Sequence, residues 1–246
     1  MQKFLNHPND DVCLYVYDIT HKQTILSVQK DKKIVSASLI KDIIMLTALE
    51  QIRKEIFTLE TQVYIPKEYI LEDSTIIKQP MSMSIYELMK WMIIVSDNTS
   101  TNALIRLLGM ETINNYAKEL HLENTLLQRC MLDFASGLQN YISHQDMCDL
   151  YRMLHQKEIL NEQLCNIALD ILSQQKDNQM ILRYIDTPTT FLHKTGELDY
   201  LLHDSGLLYV KDTVYYVGVS IKSNIIEGNY ELMGQIGKEI LTNYCK

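Results

Sequence analysis

The stretch Val35-Ser-Ala-Ser-Leu-Ile-Lys41 leads into an apolar run with helical spacing that continues to Ile52. Residues three apart share one face of a helix, so Ser38 and Lys41 are expected to be neighbours. We place Ser38 in the first helical turn, where free backbone N–H groups favour developing negative charge. A lysine whose pKa is lowered by burial could take the serine proton and create a nucleophile.

The Ser-x-x-Lys pattern is weak by itself, because the chain contains it three times. Ser27 and Lys30 fall in a short alternating segment that is typical of a strand and its turn. Ser173 and Lys176 fall in a polar stretch that is typical of a helix end and loop. Only Ser38 opens a long apolar helical run. For this pair alone, a helix-terminal serine beside a solvated lysine is the more common interpretation.

Two further short motifs follow in the chain. Ser96-Asp-Asn98 lies between two predicted helices, and Lys194-Thr-Gly196 ends a short predicted strand. Each is ordinary in isolation, since Ser, Asp and Asn are frequent loop and cap residues and glycine is frequent in turns. Combined with Ser38, the motifs supply a second hydroxyl, an amide and a second amine. That combination is typical of a serine acyl-transfer site.

The order of elements predicts an α+β fold. Strands are expected at residues 12–18, 24–29, 191–194, 207–210 and 214–221, and a final helix at 229–243. The chain between Ser38 and about Tyr184 has mostly helical spacing. We therefore expect a single domain over residues 1–246, with one antiparallel sheet from both chain ends. This sheet with its flanking helices forms lobe 1 (approximately 1–35 and 186–246), and an all-helical lobe 2 (approximately 36–185) is inserted.

Composition excludes several classes of function. The net charge of −8 argues against a nucleic-acid partner. No apolar run has the length of a membrane span, so no membrane association is expected. The five cysteines are widely spaced without a Cys-x-x-Cys pair, and His-Glu-x-x-His, Walker A and Gly-x-Gly-x-x-Gly motifs are absent. We therefore predict no metal and no cofactor. We also expect a small-molecule substrate and a monomer.

The N-terminal sequence lacks the apolar segment of a secretory signal. This indicates either a cytoplasmic protein or one whose leader has been removed. Unpaired cysteines favour a reducing compartment.

Order, spacing and element type together resemble class A β-lactamases and their penicillin-binding relatives. The resemblance extends over nearly the whole chain. It is most specific in residues 35–41 and in Val95-Ser-Asp-Asn-Thr-Ser-Thr-Asn102. The intervals of 58 residues from Ser38 to Ser96 and 98 residues from Ser96 to Lys194 also fit that family.

The resemblance implies a role for each matched residue. Ser38 would be the acylated nucleophile, Lys41 its base, Ser96 a proton shuttle and Lys194 a source of positive charge. Asn98 and Thr195 would bind polar groups of the substrate, and Gly196 would let the substrate approach the strand closely. The backbone N–H groups of Ser38 and Glu197 would form the oxyanion hole.

Three departures from the family pattern alter the expected chemistry. In Leu127-Gln-Arg-Cys-Met-Leu-Asp133, Met131 falls where the family has its deacylating glutamate, and a thioether cannot activate water. Asn140 falls where an aspartate would pair with Arg129. Around the position of the basic residue that binds the substrate carboxylate, this chain has His203-Asp204, and Glu197 adds a negative charge. These features resemble a lactamase-like subgroup that lacks the deacylating glutamate.

We expect a serine hydrolase of the β-lactamase fold that is acylated at Ser38 and deacylated slowly or in an altered way. Its substrates would be β-lactams or related amides and esters, and Asp133 is the first alternative group for activating water. A carboxypeptidase-like enzyme acting on D-Ala-D-Ala, or an esterase-like enzyme, is a second interpretation. A sensor that binds a β-lactam or peptide without hydrolysing it is a third.

Overall fold

The computed structural model describes residues 1, 11–223 and 227–245. Both chain ends contribute to one five-stranded antiparallel sheet with the order β2-β1-β9-β8-β7. Its strands are β1 (Asp11–Asp18), β2 (Gln23–Val28), β7 (Thr190–Leu198), β8 (Leu201–Val210) and β9 (Thr213–Lys222). The α+β class and the sheet from both chain ends are confirmed.

Alternation along the strands gives the sheet two apolar faces. One face, with Val12, Leu14 and Val16 of β1, packs against Met233 and Ile236 of the C-terminal helix. The opposite face, which includes Tyr15 and Tyr216, joins the core of the helical segment. The sheet is therefore enclosed between the C-terminal helix and the helices from the middle of the chain.

Seven α-helices lie in the described ranges of the chain. They are α1 (Lys41–Arg53), α2 (Ile85–Ile94), α3 (Asn98–Leu108), α4 (Met110–Glu119), α5 (His144–His155), α6 (Glu162–Ser173) and α7 (Glu227–Asn243). Ser84 and Glu87 form the capping box at the start of α2, and Gly109 ends α3 at a φ of 79°. Short 3-10 turns occupy Ala37–Ile40, Lys67–Tyr69 and Phe134–Ser136.

Two small strand pairs complete the structure and brace the helical segment. β3 (Ile34–Val35) pairs with β6 (Tyr141–Ile142), and β4 (Gln62–Ile65) pairs with β5 (Met81–Ser84). The first pair connects the segment before Ser38 to the segment after Asn140. Among the described residues, the structure has no helix with the length and apolar character that crossing a membrane requires.

Three boundaries differ from the sequence prediction. Ser38 lies in the 3-10 turn and not in an α-helical turn, because Ala37 adopts a left-handed φ of 43° and α1 begins only at Lys41. The sequence also predicts Asn98 or Thr99 as the cap of a helix over 100–108, but Asp97 caps α3, since its carboxylate accepts the Ser100 N–H. Strand β8 begins at Leu201, six residues before the predicted start. The polar residues His203, Asp204 and Ser205 inside it interrupt the apolar pattern from which the strand was predicted.

Candidate active site

The three predicted motifs meet around the hydroxyl of Ser96. Lys41 Nζ lies 3.0 Å from Ser96 Oγ, and Lys194 Nζ lies 3.1 Å from the same oxygen. Lys41 Nζ also donates to the Ser96 carbonyl at 2.7 Å and to Asn98 Oδ1 at 2.8 Å. Lys194 Nζ donates in addition to the Thr195 carbonyl at 2.7 Å. The two amines and the hydroxyl therefore form one hydrogen-bonded group at distances that permit proton transfer.

The corner between α2 and α3 holds Ser96 in this position. Ser96 has a φ of 59°, which few non-glycine residues adopt. The neighbouring Asp97 is buried, and its carboxylate accepts the Ser100 N–H at 2.7 Å and the Ser74 hydroxyl at 2.5 Å. Backbone strain of this kind persists only when surrounding bonds fix it, and Asp97 supplies those bonds.

Ser38 lies half-buried at a pocket that Asn98, Met131 and Glu197 also line. Strand β7 passes directly beside the Ser38 turn. A Cβ atom added at Gly196 would lie 3.1 Å from the Ser38 backbone nitrogen, so glycine permits this close approach. The segment after Gly196 and the turn of Ser38 thus border the same pocket, as the predicted oxyanion hole requires.

The Lys41 amine does not bond to Ser38 in this structure. Its three hydrogen bonds all go to Ser96 and Asn98. Hydrogen bonds at active sites are often long before substrate binds and shorten only in the complex. Transfer of the Ser38 proton to Lys41 therefore requires the amine to release one of its present partners.

Burial sets the protonation of both lysines. Burial and the neighbouring Lys194 charge lower the pKa of Lys41 well below its ordinary value. Burial lowers the pKa of Lys194 to about 8, while the Asp42 carboxylate acts in the opposite direction. Lys41 is consequently the better base of the two near neutral pH, and Lys194 is the group that retains its charge.

Sequence reasoning did not identify Asp42, which follows Lys41 in α1. Its side chain is buried, Oδ2 accepts the Tyr151 hydroxyl at 2.9 Å, and Oδ1 has no partner among the described residues. Burial raises the pKa of Asp42 to about 7, and Lys194 opposes this. Asp42 is thus the buried carboxylate whose charge is coupled to that of Lys194. Its position as a charged residue inside the apolar run after Ser38 is the sequence feature that could have predicted a buried carboxylate.

Asn98 begins α3 and presents its amide to the pocket. Its oxygen is bound to Lys41, and its nitrogen donates to Asp73 Oδ2 at 2.7 Å. An amide nitrogen has two hydrogens, so one is left for a substrate carbonyl. Asp73 is exposed in a loop and carries no sequence signal that predicts this contact.

Thr195 and Glu197 follow Lys194 on β7. Thr195 is buried, whereas the exposed Glu197 lines the Ser38 pocket. The side chain of Glu197 accepts a hydrogen bond from the Tyr230 hydroxyl of α7, and this bond contributes to raising the pKa of Tyr230 after the larger effect of burial. Glu197 is therefore anchored at the rim of the pocket by the C-terminal helix.

Met131 occupies the wall of the pocket that contains Ser38. Its side chain is buried, and its backbone is held by Asn102. The Met131 N–H donates to Asn102 Oδ1 at 2.7 Å, and the Asn102 amide donates to the Met131 carbonyl at 3.1 Å. The Met131 thioether is thus fixed in place at the pocket that contains Ser38.

Asn140 closes the loop from 129 to 140 without an ion pair. Its oxygen accepts the backbone N–H groups of Gln128 and Arg129 at 2.8 and 3.0 Å, and its amide donates to the Arg129 carbonyl at 3.0 Å. The buried Arg129 guanidinium donates to the carbonyls of Leu138 and Cys130 and to Gln139 Oε1. Asn140 therefore bonds the backbone of Arg129 and not its side chain.

The other serine and carboxylate candidates lie outside this pocket. Ser27 is exposed on β2 and Ser173 is exposed at the end of α6. Asp133 is exposed in the loop, and neither it nor Glu123, a second carboxylate near Met131 in the sequence, is among the residues that line the Ser38 pocket. Asp133 would need a loop movement to act on a Ser38 ester.

His203 and Asp204 point to opposite faces of β8, and neither is among the residues that line the Ser38 pocket. His203 is fully buried, with Nε2 2.8 Å from the Val35 carbonyl and Nδ1 2.5 Å from Ser220 Oγ. On the other face, Asp204 Oδ1 lies 2.7 Å from His193 Nδ1. Burial lowers the pKa of His203 to about 4, so it is neutral at pH 7. Neither residue offers a cation to a substrate carboxylate.

His203 belongs to a set of buried polar groups behind Ser38, which we call the histidine network. It comprises the Val35 carbonyl and the side chains of His203, Ser220, His144, Tyr216 and Ser205. His144 Nε2 lies 2.7 Å from Ser220 Oγ, His144 Nδ1 lies 3.0 Å from the Tyr216 hydroxyl, and that hydroxyl lies 3.1 Å from Ser205 Oγ. Sequence reasoning did not anticipate these contacts.

The site contains no evident ligands for a metal. Among residues 1, 11–223 and 227–245, no group of three or more His, Cys, Asp or Glu side chains could hold an ion.

Comparison with known proteins identifies the family of this chain. Residues 1–244 match the beta-lactamase enzyme family. No curated protein matches the chain significantly. Among solved structures, PBP-A is 25% identical, with a TM-score of 0.88 over 97% of this chain and 91% of its own.

Two further structures extend the comparison. A single-residue mutant of PBP-A, solved as an acyl-enzyme complex with penicillin G, matches with the same identity and TM-score over 97% of this chain and 92% of its own. The TLA-3 extended-spectrum beta-lactamase is 18% identical, with a TM-score of 0.92 over 100% of this chain and 97% of its own, which shows the shared fold. This chain therefore belongs to the beta-lactamase enzyme family.

Proposed function

We propose that this protein is a serine hydrolase that forms an acyl-enzyme at Ser38 with small β-lactam or related amide and ester substrates and hydrolyses it slowly. The observation that carries this proposal is the Ser96 hydroxyl held between two buried amines at 3.0 and 3.1 Å. A lone lysine near a serine is common, but two buried lysines converging on one hydroxyl are costly unless they serve a purpose.

These positions support the following route for acylation of Ser38, once the Lys41 amine has released one of its present partners. Ser38 Oγ attacks the substrate carbonyl carbon, and its proton passes to the neutral amine of Lys41. The proton then moves through the Ser96 hydroxyl to the leaving nitrogen or oxygen as its bond to the carbonyl carbon breaks. Lys194, still protonated, stabilises the negative charge that develops near Ser96.

Substrate binding would use the groups that border the pocket. The backbone N–H groups of Ser38 and Glu197 would hold the carbonyl oxygen as it gains charge. Asn98 has one amide hydrogen available for a substrate carbonyl. Thr195 would bond a further polar group on the substrate.

Deacylation lacks its expected base. Water must lose a proton as it attacks the ester carbon, and the Met131 thioether beside Ser38 cannot accept it. A positioned general base typically contributes about 10²–10⁴-fold to a rate, which corresponds to about 3–5 kcal/mol of barrier. We therefore expect the acyl-enzyme to be long-lived.

The comparison with PBP-A is consistent with this chemistry. A mutant of that protein has been solved as an acyl-enzyme complex with penicillin G. By similarity, penicillin G is a reasonable first substrate for this chain. The absence of a free cation for the substrate carboxylate on β8 argues that acylation by anionic penicillins is slower than acylation by neutral esters.

A sensor that is acylated or occupied without turnover is the second candidate function. Met131 at the family's glutamate position favours it, while the intact amine–hydroxyl group favours chemistry. A carboxypeptidase-like or esterase-like enzyme would use the same acylation step on a different substrate. Turnover separates the candidates, since a hydrolase releases product repeatedly and a sensor retains one adduct.

Intact-mass measurement after exposure to penicillin G and to a fluorophosphonate tests the proposal. We expect one adduct per chain that persists long after free penicillin is removed. Ser38→Ala should abolish both adducts, whereas the matched variants Ser27→Ala and Ser173→Ala should retain them. Labelling that survives Ser38→Ala, or rapid multiple turnover with no visible adduct, would refute acylation at Ser38 or its slow hydrolysis, respectively.

A further inference from the structure

The histidine network ends at the backbone that carries Ser38. Its last contact, from His203 Nε2 to the Val35 carbonyl at 2.8 Å, joins β8 to the segment three residues before Ser38. In the sheet, His203 is paired with Gly196, which lies directly before Glu197. His203 therefore adjoins the two backbone segments that carry Ser38 and Glu197, whose N–H groups would form the oxyanion hole.

The direction of every hydrogen bond in the network follows from one atom. A carbonyl oxygen can only accept, so His203 Nε2 must carry hydrogen and donate to Val35. A neutral imidazole then has a bare Nδ1, which must accept the hydroxyl hydrogen of Ser220 at 2.5 Å. Ser220 has no second hydrogen, so its oxygen accepts from His144 Nε2 at 2.7 Å.

The remaining hydrogen bonds of the network, from His144 to Ser205, have their directions fixed in the same way. With its hydrogen on Nε2, His144 must accept at Nδ1, and the donor is the Tyr216 hydroxyl at 3.0 Å. The Tyr216 oxygen in turn accepts from Ser205 Oγ at 3.1 Å. Gly218 makes room for this arrangement, because a Cβ atom there would lie 2.3 Å from the Tyr216 oxygen and 2.4 Å from His144 Nδ1.

The four bonds between side chains are buried, and the bond to the Val35 carbonyl is partly buried although the His203 ring itself is buried. Hydrogen bonds aligned in one direction polarise one another, so the bond to Val35 is strengthened by those behind it. A buried network also tolerates few alternatives, because breaking one link leaves an unpaired polar group. The position of the Val35 carbonyl is thus fixed more firmly than a single surface bond could fix it.

We propose that His203 is a positioning residue for the oxyanion hole, held in its Nε2–H form by the one-directional network Ser205–Tyr216–His144–Ser220–His203 and bonded to the Val35 carbonyl. It acts through the backbone of Ser38 and Glu197 and does not contact substrate. Its kinetic consequence rests on the acylation of Ser38 proposed above, but the bond directions do not.

Nitrogen-15 NMR of histidine-labelled protein tests the bond directions without any substitution. At pH 7 the spectra should show both His144 and His203 as neutral rings with hydrogen on Nε2 and none on Nδ1. The Nε2 hydrogens should exchange slowly with solvent because they are buried. A ring with hydrogen on Nδ1, or a doubly protonated ring, at either position would overturn the inference.

Acylation kinetics test the positioning role. His203→Ala should lower the rate constant for acylation by a neutral ester about 10–100-fold, with the dissociation constant of the initial complex changed less than about twofold. His203→Gln, whose amide nitrogen can still donate to Val35, should recover most of this loss. The matched control is His155→Gln, because His155 is a half-buried histidine bonded to Tyr209 outside the network.

The outcomes separate the two proposals. An acylation rate constant unchanged in His203→Ala, or equal losses in the Ala and Gln variants, would overturn the positioning role while leaving the proposed function intact. No acylation of the wild-type protein by any probe would overturn the proposed function and the positioning role, while the NMR spectra would still decide the bond directions.

Discussion

Acid should destabilise this protein through the two histidines of the network. Both His144 and His203 are fully buried, and burial lowers their pKa values to about 3 and about 4, with the His203 charge as a second cause for His144. In the unfolded chain a histidine titrates near 6.5. Between that value and the folded pKa, the unfolded state binds more protons, so stability falls as pH falls.

The loss of unfolding free energy depends only on the histidine pKa in the unfolded chain, as long as the pKa in the folded protein lies below the pH of the measurement. From pH 7 to pH 5, each histidine removes about 2 kcal/mol from the free energy of unfolding. The pair therefore removes about 4 kcal/mol, which is a large share of the about 5–15 kcal/mol that stabilises a typical domain. Asp42 acts in the opposite direction over this range, because its pKa is raised to about 7.

Comparison with a variant isolates the histidine contribution. His144→Gln removes one titrating ring and leaves Asp42 in place, so the Asp42 effect cancels in the difference. Urea unfolding followed by circular dichroism at pH 7, 6 and 5 should show that the variant loses about 2 kcal/mol less than the wild type between pH 7 and 5. His155→Gln, at a half-buried position, should change the slope less. Equal slopes for wild type and His144→Gln would refute the reasoning.

Three further predictions concern the pocket around Ser38. Met131→Glu should speed breakdown of the acyl adduct about 10²–10⁴-fold, whereas Met131→Gln, which has no basic group, should not. Equal adduct lifetimes of the Glu and Gln variants, measured by intact mass, would contradict this prediction. Asp42→Asn should move the alkaline limb of the acylation rate to lower pH, because Lys194 loses the charge that raises its pKa; an unmoved limb in a pH–rate profile would count against that coupling. Asn102→Ala should lower the free energy of unfolding by about 2–4 kcal/mol, since two buried backbone groups of Met131 lose their partners. A loss below about 0.5 kcal/mol in urea titration, the range of ordinary surface substitutions, would mean that other groups replace Asn102.

The parts of this molecule that the sequence predicts are those with a periodic or motif signal. Apolar periodicity predicts the helical middle of the chain and the strands β1, β2 and β9, and the three short motifs predict Lys41, Ser96 and Lys194 as site residues. Spacing along a helix cannot show that a 3-10 turn precedes it, because the left-handed φ of Ala37 depends on tertiary packing. Ser38 was therefore placed in the wrong type of turn.

Buried polar residues account for most of what the sequence did not predict. His203, Asp204 and Ser205 interrupt the apolar pattern of β8, so only its last four residues were recognised as a strand. Each is buried because a partner distant in the chain satisfies it, such as Ser220 for His203 or Ile181 for Asp204. Partners of this kind follow from the three-dimensional arrangement and leave no local pattern.

The pairing of β1 with β9 has a consequence for how the site comes into existence. Asp11 is paired with Lys222, so the centre of the sheet joins the two ends of the chain. Contacts that span most of a chain form slowly, because the entropy of closing a long loop is lost before the contact is gained. During synthesis, the segment with Ser38 and Ser96 leaves the ribosome well before β7 supplies Lys194. The helical middle is therefore made before the Lys194 amine that the proposed acylation uses for charge stabilisation, and reactivity at Ser38 should appear only after β7 has joined the sheet.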